Sequence, residues 1–301
     1  MRDAFATAFQ SQLAVNSGIL ITGDLGFGVF DDLSKNHPGS FINAGITEQS
    51  LTSMAAGLAD EGFIPFIYSI ANFPTFRNLE QIRNDIAYPR KHVVVTSVGA
   101  GLSYGTLGFS HFGVEDLAIM RSLPNMRILC PSDPLRARLA TDSAFEIGSP
   151  TYLRLGKNGE KNFGDLGQIA HKAIRTIVDK GSPVAVISTG SIGTRVEAIY
   201  QESLLQFDHF SVEEIWPASE EIWELASNYS QIVVVEEHSP VGGLFSMLAE
   251  GCALRSINVR LTSCSVDRSR LFTSGDHNYM LDQAGLSVAE IAAKITFARK
   301  S

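Results

Sequence analysis

Cysteine is scarce: Cys130, Cys252 and Cys264 are the three in 301 residues. That is too few, at too irregular a spacing, for a disulfide framework or a zinc site. Basic charge is short as well, since 24 Lys and Arg against 32 Asp and Glu leave a net charge of −8. Such a balance argues against a nucleic acid or an anionic membrane as partner. No apolar run approaches the roughly 20 residues of a membrane span. A secretory leader is missing too, because Phe5, Phe9 and Leu13 repeat at helical spacing with polar residues between them. These absences together lead us to expect a cytoplasmic chain in a reducing compartment. There are no internal repeats and no low-complexity tracts. Apolar residues, by contrast, make up 45% of the chain, enough for two ordinary domain cores.

The apolar residues come in short runs separated by helical periods. Strands are expected at 18–22, 64–68, 92–97, 127–130 and 151–155, with helices over 1–16, 48–60, 76–86, 114–122 and 133–145 between them. Ser132 or Asp133 caps the last of these helices. Strand and helix alternate throughout, which means a parallel sheet with helices on both faces. The texture turns to Gly, Lys, Asn and Asp over 156–181, and the domain boundary belongs there. A second α/β unit follows, with strands at 184–188, around Val212, and at 232–236 and 256–260. Its helices are expected near 194–206, 220–227, 243–250 and 287–299. The fold class is therefore α/β in two domains, each a mostly parallel sheet with helices on both faces. The domains span 1–160 and 181–301, joined by a linker over 161–180.

The stretch that organises the first unit is Phe41-Ile42-Asn43-Ala44-Gly45-Ile46-Thr47-Glu48-Gln49. It leaves a Pro38-Gly39 turn and opens a helix on which Leu51, Met54, Ala55 and Leu58 share one face. Thr47 or Asn43 can cap that helix. By position alone, Glu48 is a first-turn acid that complements the helix dipole. Downstream lie Ser110-His111-Phe112-Gly113-Val114-Glu115-Asp116-Leu117-Ala118 and Met120-Arg121-Ser122-Leu123-Pro124-Asn125-Met126. Taken together, these words resemble the thiamine-diphosphate enzymes of the transketolase family, where a Gly-Ile-x-Glu-[His/Gln] segment opens a helix.

The resemblance implies roles. Glu48 matches the glutamate that activates the cofactor through its pyrimidine N1′, a task for a carboxyl largely withdrawn from water. Phe73, in Ala71-Asn72-Phe73-Pro74-Thr75-Phe76, matches the aromatic that stacks on the aminopyrimidine, with Phe76 close by. Asp24, after the strand at 18–22, matches an Asp beside the cofactor pocket. His111 matches the active-site histidine that handles protons on substrate oxygens. His238 matches a habit of the C-terminal domain and is structural; His277 has no assigned part.

Two departures from the family pattern matter. The Gly-Asp-Gly…Asn signature that holds Mg²⁺ and diphosphate is missing, and no metal ligand is expected here. The resemblance covers only the second half of a full-length transketolase, its pyrimidine-binding and C-terminal domains. It implies one subunit of a split enzyme whose partner is an N-terminal, diphosphate-binding subunit, in an α2β2 assembly. The other departure concerns substrate. Gly105-Thr106-Leu107-Gly108 stands where sugar-phosphate transketolases carry Gly-Glu-Asp-Gly, and Gly28, Gly99 and Lys157 replace the usual phosphate-gripping Ser, His and Arg. The expected activity is transfer of a two-carbon unit from a ketose or 2-oxo acid donor to an aldehyde or ketone acceptor. A decarboxylating synthase, of the deoxyxylulose-phosphate-synthase or 2-oxo-acid dehydrogenase β-subunit type, is the alternative. A non-catalytic regulatory subunit is a third reading, which retention of Glu48, Phe73 and His111 opposes.

Overall fold

The computed structural model describes residues 1–164, 167, 170–203 and 205–300. Residues 165, 166, 168 and 169 of the expected linker, and residue 204 of the expected helix 194–206, lie outside them. Twelve strands form two sheets among the described residues: β1 (Gly18–Thr22), β2 (Phe41–Asn43), β3 (Ile64–Ile70), β4 (Val94–Val98), β5 (Arg127–Leu129), β6 (Thr151–Leu155), β7 (Ile174–Val178), β8 (Val184–Thr189), β9 (Asp208–Val212), β10 (Glu214–Trp216), β11 (Gln231–Glu236) and β12 (Arg260–Cys264). The first sheet runs β10-β5-β6-β4-β3-β1-β2 and the second β12-β11-β8-β9-β7. The first six strands are mutually parallel, and only β10 and β7, each at a sheet edge, pair antiparallel. This is the α/β architecture expected from the alternation of elements.

Parallel strands covered on both faces need apolar side chains in both directions. Ile19, Ile21, Ile67, Val93 and Val95 point to one face, and Leu20, Phe66, Tyr68, Val94 and Val98 to the other. The second face is an aromatic layer in which Phe5 and Phe9, on the helix Arg2–Gln12, meet Phe30, Phe66, Tyr68 and Phe145. The first face continues into the second sheet through Met120, Ile128, Ala185, Ile187, Val212 and Ile232, so one core spans both sheets. β10, contributed from beyond β9, extends the first sheet along β5. β7 falls within the stretch read as a linker and borders the second sheet against β9.

Several local expectations change. The helix read over 76–86 is broken into turns at Phe73–Phe76 and Leu79–Gln81, followed by a π-helical segment, Ile82–Ala87. The strand read at 256–260 lies four residues later, because Ser256 ends the preceding helix in a left-handed conformation and β12 begins at Arg260. Asp133 does cap its helix, accepting from Arg136 N at 2.9 Å. On the helix Glu48–Asp60, Leu51, Thr52, Ala55 and Ala56 are buried, while Met54 is exposed. No helix among the described residues is long and apolar enough to cross a membrane.

Candidate cofactor and active site

Four neighbouring strands, in the order β4-β3-β1-β2, all point the same way. Their carboxyl ends therefore meet at one sheet edge, where parallel α/β sheets present their binding crevices. β1 ends at Gly23-Asp24, β2 leads to Glu48, β3 to Phe73 and β4 to the glycine-rich loop 98–113. The topology thus gathers Asp24, Glu48, Phe73 and His111 from distant stretches of chain.

Glu48 opens its helix and is 6% exposed. Neither expected cap forms at this helix start. The Thr47 hydroxyl donates to Ala44 O (2.9 Å), and Asn43 Oδ1 accepts from the backbone N–H groups of Asp24 and Gly45 (3.1 and 3.0 Å). Asn43 Nδ2 donates to Asp24 Oδ1 at 3.2 Å, so Asp24, exposed and at φ 59°, is tied to the loop that carries Glu48. The backbone carbonyl of Glu48 accepts from the Thr52 hydroxyl at 2.6 Å. Its carboxylate takes a bond from Arg77 Nη1 at 3.1 Å. A cleft of about 320 Å³ opens there, lined by Ile46, Thr47, Glu48, Gln49, Ser50 and Arg77.

Phe73 begins a one-turn helix, and its backbone carbonyl accepts from Arg77 N at 3.3 Å. That turn lays the Arg77 guanidinium over the Phe73 ring, 4.5 Å from its centroid. The His111 ring meets Phe73 edge to face at 5.3 Å. Asn72 Nδ2 donates to Ser110 O, joining the β3 loop to the His111 loop. Phe76 is 50% exposed, beside Arg77. The structure therefore brings Glu48, Phe73 and His111 together by way of Arg77, and sets Asp24 and Phe76 at the margins.

The loop over 98–113 is more ordered than its composition suggests. Gly101 and Gly113 exchange two backbone bonds (2.9 and 2.8 Å), and turns at Gly105–Leu107 and Phe109–His111 fill the space between. Both ends are held from the second unit or the sheet below. Leu102 N donates to Glu237 Oε1 (2.5 Å), which also contacts His277 Nε2 at 2.8 Å. Arg154, on β6, donates to Gly113 O, Glu237 O and both Asp116 oxygens. Burial alone lifts the Asp116 carboxyl, but the Arg154 charge outweighs it and holds the carboxyl below its ordinary range. Burial holds His238 down at about 4. His277, pulled down by burial, is carried above its ordinary value by the Glu237 charge.

Arg77, Tyr104 and Glu237 carry no reading from the sequence. An ideal Cβ at Gly99 would fall 2.1 Å from the Tyr104 ring, and Lys157 Nζ stands 4.9 Å over that same ring. A tyrosine several residues beyond a strand end gives no signal in one sequence. Arg77 could have been found, because it lies one helical turn past Phe73, on the same face of any helix there. A larger cleft of about 650 Å³, lined in part by Ser103, Thr106, Lys157, Arg195 and His277, does not include Glu48, Phe73 or His111. Arg195 and His277 there are engaged with Asp282 and Glu237.

A buried carboxylate at the head of an aromatic slot is the donor set an aminopyrimidine requires, and the residues fit that group. A family model described as the transketolase pyrimidine-binding domain matches residues 1–161, more than half of the chain. The chain belongs to the transketolase family. It is 32% identical over 268 residues to a protein of Methanocaldococcus jannaschii described as a putative transketolase C-terminal section, with 87% of this chain and 84% of that one covered. One of the two kinds of chain of the apulose-4-phosphate transketolase of Phocaeicola vulgatus is 30% identical over 237 residues, covering 76% of this chain and 75% of its own. Among solved structures, a split-gene transketolase in an inactive β4 tetramer aligns with a TM-score of 0.86 at 28% identity, over 99% of this chain and 97% of that one. This is a C-terminal transketolase-like subunit, its two sheets matching that neighbour nearly end to end.

Proposed function

We propose that this chain is one subunit of a split, thiamine-diphosphate-dependent transferase that moves a two-carbon unit from a ketose or 2-oxo acid to an aldehyde or ketone. The observation that carries the reading is Glu48, buried, aimed at a cleft and adjoining the Phe73–His111 pair. When bound, the cofactor supplies a nucleophilic carbon that the protein's own side chains lack. Glu48 holds a hydrogen bond at pyrimidine N1′, Phe73 offers the apolar face for the ring, and Phe76 and Asp24 border the slot. His111 exchanges protons with substrate oxygens across that slot. Residues 1–160 form the cofactor half in this reading, and 181–301 the C-terminal domain.

Mg²⁺ and the diphosphate are assigned to an N-terminal partner subunit, in an α2β2 assembly. Among the described residues no group of three or more His, Cys, Asp or Glu is arranged to hold a metal ion. Loops at the site edge also leave large apolar side chains in water: Phe27, Ile46, Phe76, Leu107 and Phe109. Such exposure suits a surface that a partner covers. The similar split-gene structure, inactive as a β4 tetramer, is consistent with a chain that does not work alone. Calorimetric titration with thiamine diphosphate tests the assignment. The isolated chain should bind weakly, and the partner chain with Mg²⁺ should restore tight binding. Submicromolar, metal-dependent affinity of the chain alone would refute the split-enzyme reading.

A further inference from the structure

We propose that Arg77 is a built-in stand-in for the aminopyrimidine: it closes the slot in the cofactor-free subunit and must be displaced when cofactor enters. The inference rests on the cofactor reading above, and concerns a residue to which that reading gives no part. Arg77 makes two contacts at once. Its planar guanidinium lies 4.5 Å above the Phe73 ring, and Nη1 donates to Glu48 Oε1 at 3.1 Å. A flat, nitrogen-bearing group stacked on Phe73 and hydrogen-bonded to Glu48 is also what an aminopyrimidine would be there. The two cannot occupy one ring face and one carboxylate together.

The chain geometry makes the contact local and reversible. Arg77 follows Phe73 by one helical turn, so its side chain reaches back over the ring without help from any other element. The Arg77 side chain is 50% exposed, against 7% for that of Glu48. It can therefore rotate into water at small cost, whereas Glu48 cannot. In the empty subunit the guanidinium keeps the buried carboxylate paired, which avoids an isolated buried charge. Binding must then compete with a closed state, and apparent affinity falls by the fraction of molecules that are open.

The prediction is that weakening the stand-in tightens cofactor binding. An exposed cation–π contact and a partly exposed ion pair are each worth a few-fold, so Arg77→Met should lower the Kd for thiamine diphosphate by about three- to thirtyfold in the complex with the partner subunit. Arg77→Lys keeps the charge but loses the plane and should fall between the two. In a Glu48→Gln background the Arg77→Met change should have a smaller effect, because a neutral amide holds the guanidinium less well. Calorimetry with Mg²⁺ present reads all of these without any turnover assay. If the wild-type complex binds the cofactor and Arg77→Met binds it equally or more weakly, Arg77 is no stand-in, and the cofactor reading survives. If the wild-type complex does not bind thiamine diphosphate at all, the cofactor reading fails and the stand-in with it.

Discussion

Glu48 and Asp116 are both buried carboxylates, both begin helices, and both lie next to loops at the same sheet edge. Their surroundings differ in one respect. The Glu48 carboxylate has a single protein partner, Arg77, half in water. Asp116 is saturated by buried groups: Arg154 Nε at 2.7 Å, Arg154 Nη2 at 3.2 Å, the Tyr152 hydroxyl at 2.8 Å, and His238 at 3.7 Å. An acid whose partners are all buried can exchange none of them, so its work is to hold structure. An acid with one replaceable partner is poised to accept a ligand in its place.

The contrast predicts opposite phenotypes for two isosteric substitutions. Glu48→Gln should lower turnover of the reconstituted complex by at least about a thousandfold, since the amide keeps the shape and loses the proton. Its stability should change by only about 0–1 kcal/mol, the range for a partly exposed ion pair. Proton–deuterium exchange at the cofactor C2, followed by NMR, reads the affected step, and a wild-type rate there would remove Glu48 from its role. Asp116→Asn should do the reverse to stability. Leaving Arg154 uncompensated in the interior costs about 3–5 kcal/mol, visible as a lower urea midpoint. A loss under about 1 kcal/mol would mean that the two acids are not different in kind.

Much of this contrast is legible in the sequence for Glu48 and almost none of it for Asp116. Periodicity locates most strands and helices of the first unit, because its strands are continuous apolar runs. The words around Glu48 and His111 carry a family resemblance that composition cannot. β10 and β7 escape a reading as strands, since a three-residue edge strand and a strand carrying Arg175 lack a continuous apolar run. Arg175 is buried because Asp133, Glu213 and Ser132 surround it, contacts made between distant segments. The Arg154–Asp116–Glu237 network is invisible for the same reason: its members lie 38 and 83 residues apart from Arg154 and meet only once both sheets are assembled. The Gly99–Tyr104 contact likewise depends on how a loop folds back over the end of β4.

His111 lies between the two extremes. It packs on Phe73, and its Nδ1 contacts Ser110 Oγ at 3.0 Å in an exposed loop. His111→Ala should therefore slow turnover by about a hundredfold while leaving cofactor C2 exchange within about twofold of wild type. This separation distinguishes a group acting on substrate from Glu48, which acts on cofactor. If exchange and turnover fall together, His111 belongs to the cofactor machinery and the division between the two residues is lost.

The smallest expected effect concerns donor choice, and tests whether the glycine-lined rim of the site is specificity or accident. Gly99 stands at a position where the family resemblance expects a phosphate-gripping side chain. Its φ of +84° and a Cβ position only 2.1 Å from the Tyr104 ring leave no room for one. Gly28, at φ +75° with nothing within 4 Å of its Cβ position, likewise brings no donor. Lys157 is directed over Tyr104 and offers a point charge without the paired donors of an arginine. Leu107, half in water, presents no acceptor to a donor hydroxyl. Charge-assisted hydrogen bonds are worth about 1.5–3 kcal/mol each, so losing even one shifts kcat/KM by about tenfold or more. Hydroxypyruvate or pyruvate should accordingly exceed xylulose 5-phosphate and fructose 6-phosphate as donors to a common aldehyde acceptor, compared by kcat/KM. Should xylulose 5-phosphate prove the best donor by an order of magnitude, phosphate is gripped by groups other than these four, and the partner subunit is where to look for them.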